Sequence, residues 1–233
     1  MKKKVVIVFF IMISIFLVSC SMEKSTGKGD GDTQGMPPPS PPIVELESLE
    51  ELIDCVTMGE LTVKSGDLTY GFNDYECLVK MKEEGKIPVL MNAADEIILQ
   101  RIDGVKIYPP MSEYEQFDYG GFVDEERIGV SIIYLNKEHM EISENVTAAQ
   151  LYAHNPHSSA FENMYDCYDI YTKDKQLLDR TVEVLLYDGL SGVNNYAYFV
   201  YDDMLIELGS KSEIVIDDND FFSQIKIGYI EIE

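Results

Sequence analysis

His154-Asn155-Pro156-His157 and three scattered cysteines are the residues best suited to hold a metal ion or attack a substrate. The two-residue gap between the histidines occurs in some metal sites. Pro156 disfavours the helical turn that would set both rings on one face, and no Glu follows in an H-E-x-x-H arrangement. The motif reads as a polar surface turn, with zinc as the alternative. Cys55, Cys77 and Cys167 include no CxxC and lie in periodic apolar stretches. They read as small buried hydrophobes. The alternative is one disulfide, Cys77 to Cys167 being the best candidate, with one thiol left free. Two carboxylates suffice to hydrolyse a glycoside. Asp166 with Asp169, or Asp202 with Asp203, could meet, but among 42 acidic residues nothing selects a pair. There is no Gly-rich phosphate loop, no Gly-x-Ser-x-Gly elbow and no zinc-protease motif. The sequence leans away from an enzyme, and no cofactor or metal is expected.

A fourth cysteine stands apart. Met1-Lys2-Lys3-Lys4 is followed by an uncharged apolar run from Val5 to Phe16, then Leu17-Val18-Ser19-Cys20. The run has the length of a signal-peptide h-region and is shorter than the roughly 20 residues that span a bilayer. Leu17-Val18-Ser19-Cys20 resembles the lipobox of bacterial lipoproteins, with Leu three residues before an obligatory Cys and a small residue just before it. The resemblance implies diacylglyceryl transfer to the Cys20 thiol and cleavage that leaves Cys20 as the mature N-terminus. It implies a palmitate-type anchor in the cell membrane, with the protein on the extracytoplasmic face. One acyl chain holds only marginally, and two or more hold stably. The resemblance covers the leader alone. A second, looser one concerns Phe199 to Ile227, which is similar to the C-terminal part of several small exported domains of Gram-positive bacteria and implies no function.

The charge narrows the partners. Residues 1–42 hold five Lys and three acidic residues of the chain's 18 basic and 42 acidic, which leaves 13 basic and 39 acidic, net −26, beyond Pro42. Nucleic acid is excluded, because phosphate binding needs a basic footprint. Anionic lipid would repel this domain, so the lipid on Cys20 must hold it and a tether must keep it away. An envelope protein with a basic surface is the fitting partner.

The layout expected is a signal peptide over 1–19, a lipidated tether over 20–42 and one domain over 43–233. Gly27 to Asp32 is flexible, and Pro37 to Pro42 is a stiff polyproline II spacer. Asp30-Gly31-Asp32 lacks the remaining ligands of a calcium loop.

Periodicity then places the elements. Ser48 and Glu51 form a capping box for a helix with Leu49, Leu52, Ile53 and Val56 on one face, ended by Gly59. Leu61 to Val63 is extended, and Ser65-Gly66-Asp67 turns the chain. Asn73 caps a second helix with Tyr75, Leu78 and Val79 inward, closed by Gly85. Ile87 to Met91 is an edge strand. Glu96 to Ile102 and Val105 to Tyr108 flank Asp103-Gly104 as a hairpin. Pro109 to Asp124 shows no clear period. It carries Tyr114, Phe117, Tyr119 and Phe122 with Gly120-Gly121, and is the expected ligand-binding loop.

Arg127 to Leu135 is a strand with Val130, Ile132 and Tyr134 on one face. A short helix runs from Asn145 or Thr147 to His154. Tyr165 to Thr172 alternates as a strand. Arg180 to Tyr187, Tyr196 to Tyr201 and Met204 to Leu208 form a meander, and Asp217 to Asp220 cap a short helix at Phe221.

These elements predict an α+β fold. A mostly antiparallel sheet of six to eight strands carries two N-terminal helices and a short C-terminal helix on one face. Three functions fit. They are a non-catalytic binding or accessory lipoprotein of the envelope, an acidic inhibitor or immunity-type protein against a basic partner, and a carboxylate-dependent extracytoplasmic hydrolase.

Overall fold

Twelve strands and four α-helices alternate along the part of the chain that the computed structural model describes, residues 39–110, 114–123, 125–136, 145–164, 169–187, 195–211 and 219–232. Cys20, the tether before Pro39, His139, Tyr165, Asp166, Cys167, Tyr168, Asp188-Gly189, Gly192 and Asp217-Asp218 lie outside these residues.

The chain opens with β1 (Val44–Leu46), α1 (Leu49–Met58) and the hairpin β2 (Thr62–Ser65) and β3 (Leu68–Gly71). A 3₁₀ turn at Phe72–Asp74 leads into α2 (Glu76–Glu84), then β4 (Lys86–Met91) and β5 (Arg101–Ile107). Two long strands follow, β6 (Tyr114–Val123) and β7 (Glu126–Leu135). Next come α3 (Ala148–His154) and a 3₁₀ segment at Ser159–Met164. The meander is β8 (Ile170–Gln176), β9 (Thr181–Tyr187), β10 (Asn195–Tyr201) and β11 (Met204–Ser210). The described chain closes with α4 (Asn219–Ser223) and β12 (Lys226–Glu231).

Eight strands form one antiparallel sheet in the order β1-β5-β6-β7-β11-β10-β9-β8. β4 pairs with β12, and β2 with β3, as separate two-stranded sheets. The mostly antiparallel α+β class follows directly. Residues Pro39–Glu233 fall in one unit.

Alternation along the strands sorts the side chains into two cores. Phe117 and Tyr119 of β6, Ile128, Val130 and Ile132 of β7, and Ile206 and Leu208 of β11 belong to the larger one. The same core holds Leu52 and Val56 of α1, Leu78 and Met81 of α2, Phe222 of α4, and Val89 and Ile227 of the β4–β12 pair. On the other face Ile133, Leu185, Tyr198 and Leu205 pack with Leu151 of α3 and with Phe161 and Met164. β7 sends apolar residues to both cores, which explains its nearly unbroken hydrophobic run.

Several helix signals act as the sequence says. Ser48 Oγ accepts from the Glu51 N–H at 3.2 Å, and Gly59 ends α1 at φ 67°. The Glu51 carboxylate reaches one residue further than a capping box requires, accepting from the Glu47 N–H at 2.7 Å. Thr147 and Gln150 do close a capping box on α3. The second helix differs. Asn73 lies in the 3₁₀ turn, and α2 starts after Tyr75, which offers no side-chain cap. Asp74 turns back to the Gly71 N–H instead, so the acid stabilises the 3₁₀ turn rather than the helix. Tyr75 is freed for another task. Its hydroxyl donates to the Pro42 carbonyl at 2.8 Å, and the Tyr70 hydroxyl to the Pro39 carbonyl at 3.1 Å. The last four residues expected as tether are thus tied to the domain.

Three strand expectations need correction. Asp103-Gly104 is not a hairpin turn. It is a bulge inside β5, where the register to β6 shifts between Ile102 and Val105 and Gly104 takes φ 123°. Turns and bulges make the same demand on a glycine, so the dipeptide cannot distinguish them. The true reversal is upstream, where Asn92 Oδ1 accepts from the N–H groups of Ala94 (2.8 Å) and Glu96 (3.1 Å). Second, the stretch expected as a binding loop is β6. Phe117 is 0% exposed and Tyr119 2%, both in the larger core, and the Leu90 N–H donates to the Tyr119 hydroxyl at 2.6 Å. Phe122 is half-buried beneath the Arg101 guanidinium, 4.8 Å from the ring centre. Tyr114 is the first residue of the strand, its side chain outside what is described. Third, the strand expected from Tyr165 begins at Ile170 in its described part, and β12, absent from the sequence reading, closes against β4.

Cys55 and Cys77 are buried free thiols, so Cys77 carries no bridge. Burial first, and then Glu51, pushes the Cys55 thiol up to about 11; burial dominates at Cys77 too and raises it further.

Candidate functional site

Three rows of side chains cross the sheet on the face opposite the larger core, and their character changes from row to row. In the first, Gln116, Ile133, Leu205 and Val200 are mutual neighbours on β6, β7, β11 and β10, at the edge of the smaller core. In the second, Lys106, Asp118, Ser131, Glu207 and Tyr198 stand in register across β5, β6, β7, β11 and β10. In the third, Gly120, Gly129 and Gly209 are opposed across β6, β7 and β11, with Tyr196 beside them on β10. The apolar cover of α3 and the 3₁₀ segment therefore gives way to a polar row, and past it the sheet has no side chains.

Glycine within strands weakens them and marks close approach of a ligand or another chain. Here three in a row open a cleft of ≈ 600 Å³. Its charged lining includes Asp118 and Glu207 with Lys106, Arg127 and Lys211. Tyr196 forms part of the wall. A Cβ on Gly209 would fall 2.8 Å from its ring, so that glycine admits the tyrosine. Gly129 has only the Gly209 carbonyl near the corresponding position, at 3.9 Å, so its place is open.

A second cavity of ≈ 290 Å³ adjoins the first, and Tyr108, Asp118 and Glu207 line both. Ile43 and Pro109 give it an apolar wall, and the 3₁₀ segment contributes Ser159, Glu162 and Asn163.

The shared acids are held by amides. Gln116 Nε2 donates to Asp118 Oδ1 at 3.0 Å and to Ser131 Oγ at 2.9 Å. Asn163 Nδ2 lies 3.3 Å from each Glu207 oxygen. Burial still dominates. It pushes Glu207 up to about 7 against the pull of Tyr198 and Asn163, with Asp118 and Glu162 adding repulsion. Burial also raises Asp118, opposed by Ser131, Gln116, Tyr108 and Lys106. Glu207, raised to about 7, can donate or accept a proton near neutrality, and with Asp118, also raised, it can ionise around an incoming cation.

A third raised acid lies elsewhere. Glu115, in line with Tyr134 on β6–β7, is lifted by burial and by Glu76 of α2, with Lys80 opposing. It lines a separate cavity under α2.

The stretch expected as a binding loop is a strand whose two faces differ. Phe117 and Tyr119 lie beneath the sheet, whereas Asp118 and Gly120 of the same stretch line the cleft. Cys20, expected to carry the lipid, is outside the described residues. Asp202 pairs with Arg180 at 2.7 Å on an exposed turn and is not among the residues that line the cleft. Among the described residues no three His, Cys, Asp or Glu side chains gather as a metal site, and His154 ends α3. The missed signal was the recurrence of glycine in three strands that otherwise alternate. No family model, curated protein or solved structure matches this chain.

Proposed function

We propose that this protein is a lipid-anchored, non-catalytic binding protein of the cell envelope that seats its ligand in the glycine-floored cleft. In this reading the lipid is on Cys20, the protein faces outward from the membrane, and α1, α2 and α4 back one face of the sheet. The glycine row supports it most: three strands give up side chains at adjacent positions, and at Gly120 and Gly129 a Cβ would meet only ordinary contacts. The layout supports it too. The Pro39 and Pro42 carbonyls are tied to Tyr70 and Tyr75, which fixes the exit of the tether. A net charge of −24 for the chain favours a basic envelope partner over nucleic acid.

Two measurements test it. Labelled palmitate should enter the wild-type chain and not the Cys20→Ala variant. The full chain in detergent should retain a partner from envelope extract at low salt and lose it on Gly129→Leu, which fills the cleft. Palmitate on the Cys20→Ala variant, or a partner indifferent to Gly129→Leu, would overturn the reading.

The paired acids favour a second reading, an extracytoplasmic hydrolase in which Glu207 holds a proton as general acid and Asp118 assists. Turnover of a glycan panel that disappears in Glu207→Gln would establish it. The immunity-type alternative expects a flat acidic face, and the cleft weighs against it.

A further inference from the structure

We propose that the smaller cavity beside the cleft is a seat for a primary ammonium group on an alkyl stem, such as the end of a lysine side chain or a free diamine. The inference deepens the binding reading and rests on it for the location of the ligand.

The lining carries the argument. Asp118, Glu162 and Glu207 converge on a space of ≈ 290 Å³, and no lysine or arginine is among its described lining residues. Lys106, the nearest cation to act on Asp118, is engaged by Glu45 at 3.2 Å and lines the cleft side. The walls of the same cavity are Ile43, Tyr108 and Pro109. A chain of methylenes can lie on that apolar wall with its charged end among the carboxylates. The Tyr108 ring adds a π face for the cation. A hydrated metal ion has no use for such a wall, and the acids do not gather as a metal site.

An independent observation comes from below. The Tyr198 side chain is 0% exposed, and its hydroxyl has no hydrogen-bond partner. It faces Glu207 across the β10–β11 pair and lies close enough to Glu207 and Asn163, both lining the cavity, to act on their charge. A buried hydroxyl without a partner is costly. A carboxylate is a stronger acceptor than a neutral carboxyl, so ionised Glu207 is the better partner for this hydroxyl. A cation in front of Glu207 produces that state. Burial raises Glu207 and Asp118 in the empty cavity, and an ammonium group would lower both.

The test is calorimetric titration of the full chain in detergent with cadaverine, Nα-acetyl-lysine amide, 1,5-pentanediol and calcium chloride. Cadaverine or the lysine amide should bind and the diol should not. The stronger of the two amines tells a free diamine from a protein side chain. Glu162 is exposed on the 3₁₀ segment, so Glu162→Gln leaves the fold intact and should weaken amine binding about tenfold. Glu207→Gln should abolish it, and Tyr198→Phe should weaken it while preserving the fold. Absence of amine binding, equal binding of the diol, tighter uptake of calcium, or indifference to both Glu→Gln changes would overturn the proposal. Retention of the envelope partner without amine uptake defeats this inference alone. Amine uptake that survives Gly129→Leu, with the partner equally unaffected, supports it while defeating the cleft reading.

Discussion

Asp118 and Glu207 flank Ser131 in one row of the sheet, each one strand away from it. Strands are spaced by about 4.8 Å, so the two acids spring from backbones roughly 10 Å apart with the same serine between them. Gln116 steadies one and Asn163 the other. The row lies where the smaller core stops, so both acids have an apolar flank and an open flank. That position explains why burial raises them and why solvent or ligand can still reach them.

A pH dependence follows from Glu207. Its carboxyl is raised from 4.5 to about 7 in the folded chain, chiefly by burial. Asp118 and Glu115 are raised as well. The folded state therefore binds a proton that the unfolded state has released between about pH 4.5 and 7. Stability from these groups is fully present below the unfolded value and is lost as the pH rises through the folded one. Denaturant midpoints at pH 5 and pH 8 should show wild type losing more stability than Glu207→Gln. The difference should be at most about 3 kcal/mol, at 1.36 kcal/mol per pKa unit. Equal losses in the two proteins would show that Glu207 is not raised.

The glycines should separate by what lies over them. At Gly129 and Gly120 a Cβ meets only ordinary contacts, 3.9 Å and 3.7 Å away. Gly129→Ala should stabilise the chain by about 0.4–1 kcal/mol, because the unfolded chain loses freedom and the native backbone is compatible. At Gly121 a Cβ would fall 2.0 Å from the Arg101 carbonyl oxygen, so Gly121→Ala must move the β5 backbone and should cost about 1–3 kcal/mol. Melting temperatures of the two alanine variants decide this, and a destabilising change at Gly129 would contradict the open floor.

Much of the fold was legible because its signals are local. Ser48, Gly59, Thr147 and Gln150 mark helix ends within a few residues of each other, and the alternation of Val130, Ile132 and Tyr134 marks a strand without reference to its partners. β6 alternates too, with Phe117 and Tyr119 on one side and Asp118 and Gly120 on the other. Two prolines before it and a glycine pair within it made it read as a loop. Asp103-Gly104 misled because bulge and turn ask the same of glycine. The site was not legible for a different reason. Asp118, Ser131, Glu207 and Tyr198 meet only through strand register, and register is set by pairing between segments far apart in the chain. The sequence therefore showed many acids and no means of choosing two.

The aromatic residues of β6 should behave as core. Phe117 is fully buried among the side chains of the larger core, in stacked contact with Tyr119 at 5.9 Å between ring centres. Phe117→Ala should cost about 3–5 kcal/mol of stability. Phe122→Ala should cost less, since that ring is half-buried and loses mainly its contact with Arg101. Urea unfolding of both variants tests the ranking. A Phe117→Ala protein of unchanged stability would return this stretch to the status of an exposed loop.

The stretch from Pro39 to Pro42, expected as the end of a tether, is the last point open to test. Tyr70 sits on the β2–β3 hairpin and Tyr75 just before α2, so two elements hold four residues through carbonyls at Pro39 and Pro42. Prolines lack an N–H, and their carbonyls are the polar backbone groups left to grip. Tyr75 is fully buried and Tyr70 nearly so; replacing either by Phe keeps the ring in place and removes only the donor. Each change should cost about 0.5–1.5 kcal/mol, the net worth of one hydrogen bond. The two should combine in faster protease cleavage around residues 39–42 while the sheet stays protected. Tyr75→Phe should have the larger effect, because its bond is shorter and it anchors Pro42, two residues before β1. If cleavage there is as slow in the double variant as in wild type, the hydroxyls do not hold the tether, and packing of Val44 and Leu46 must do so.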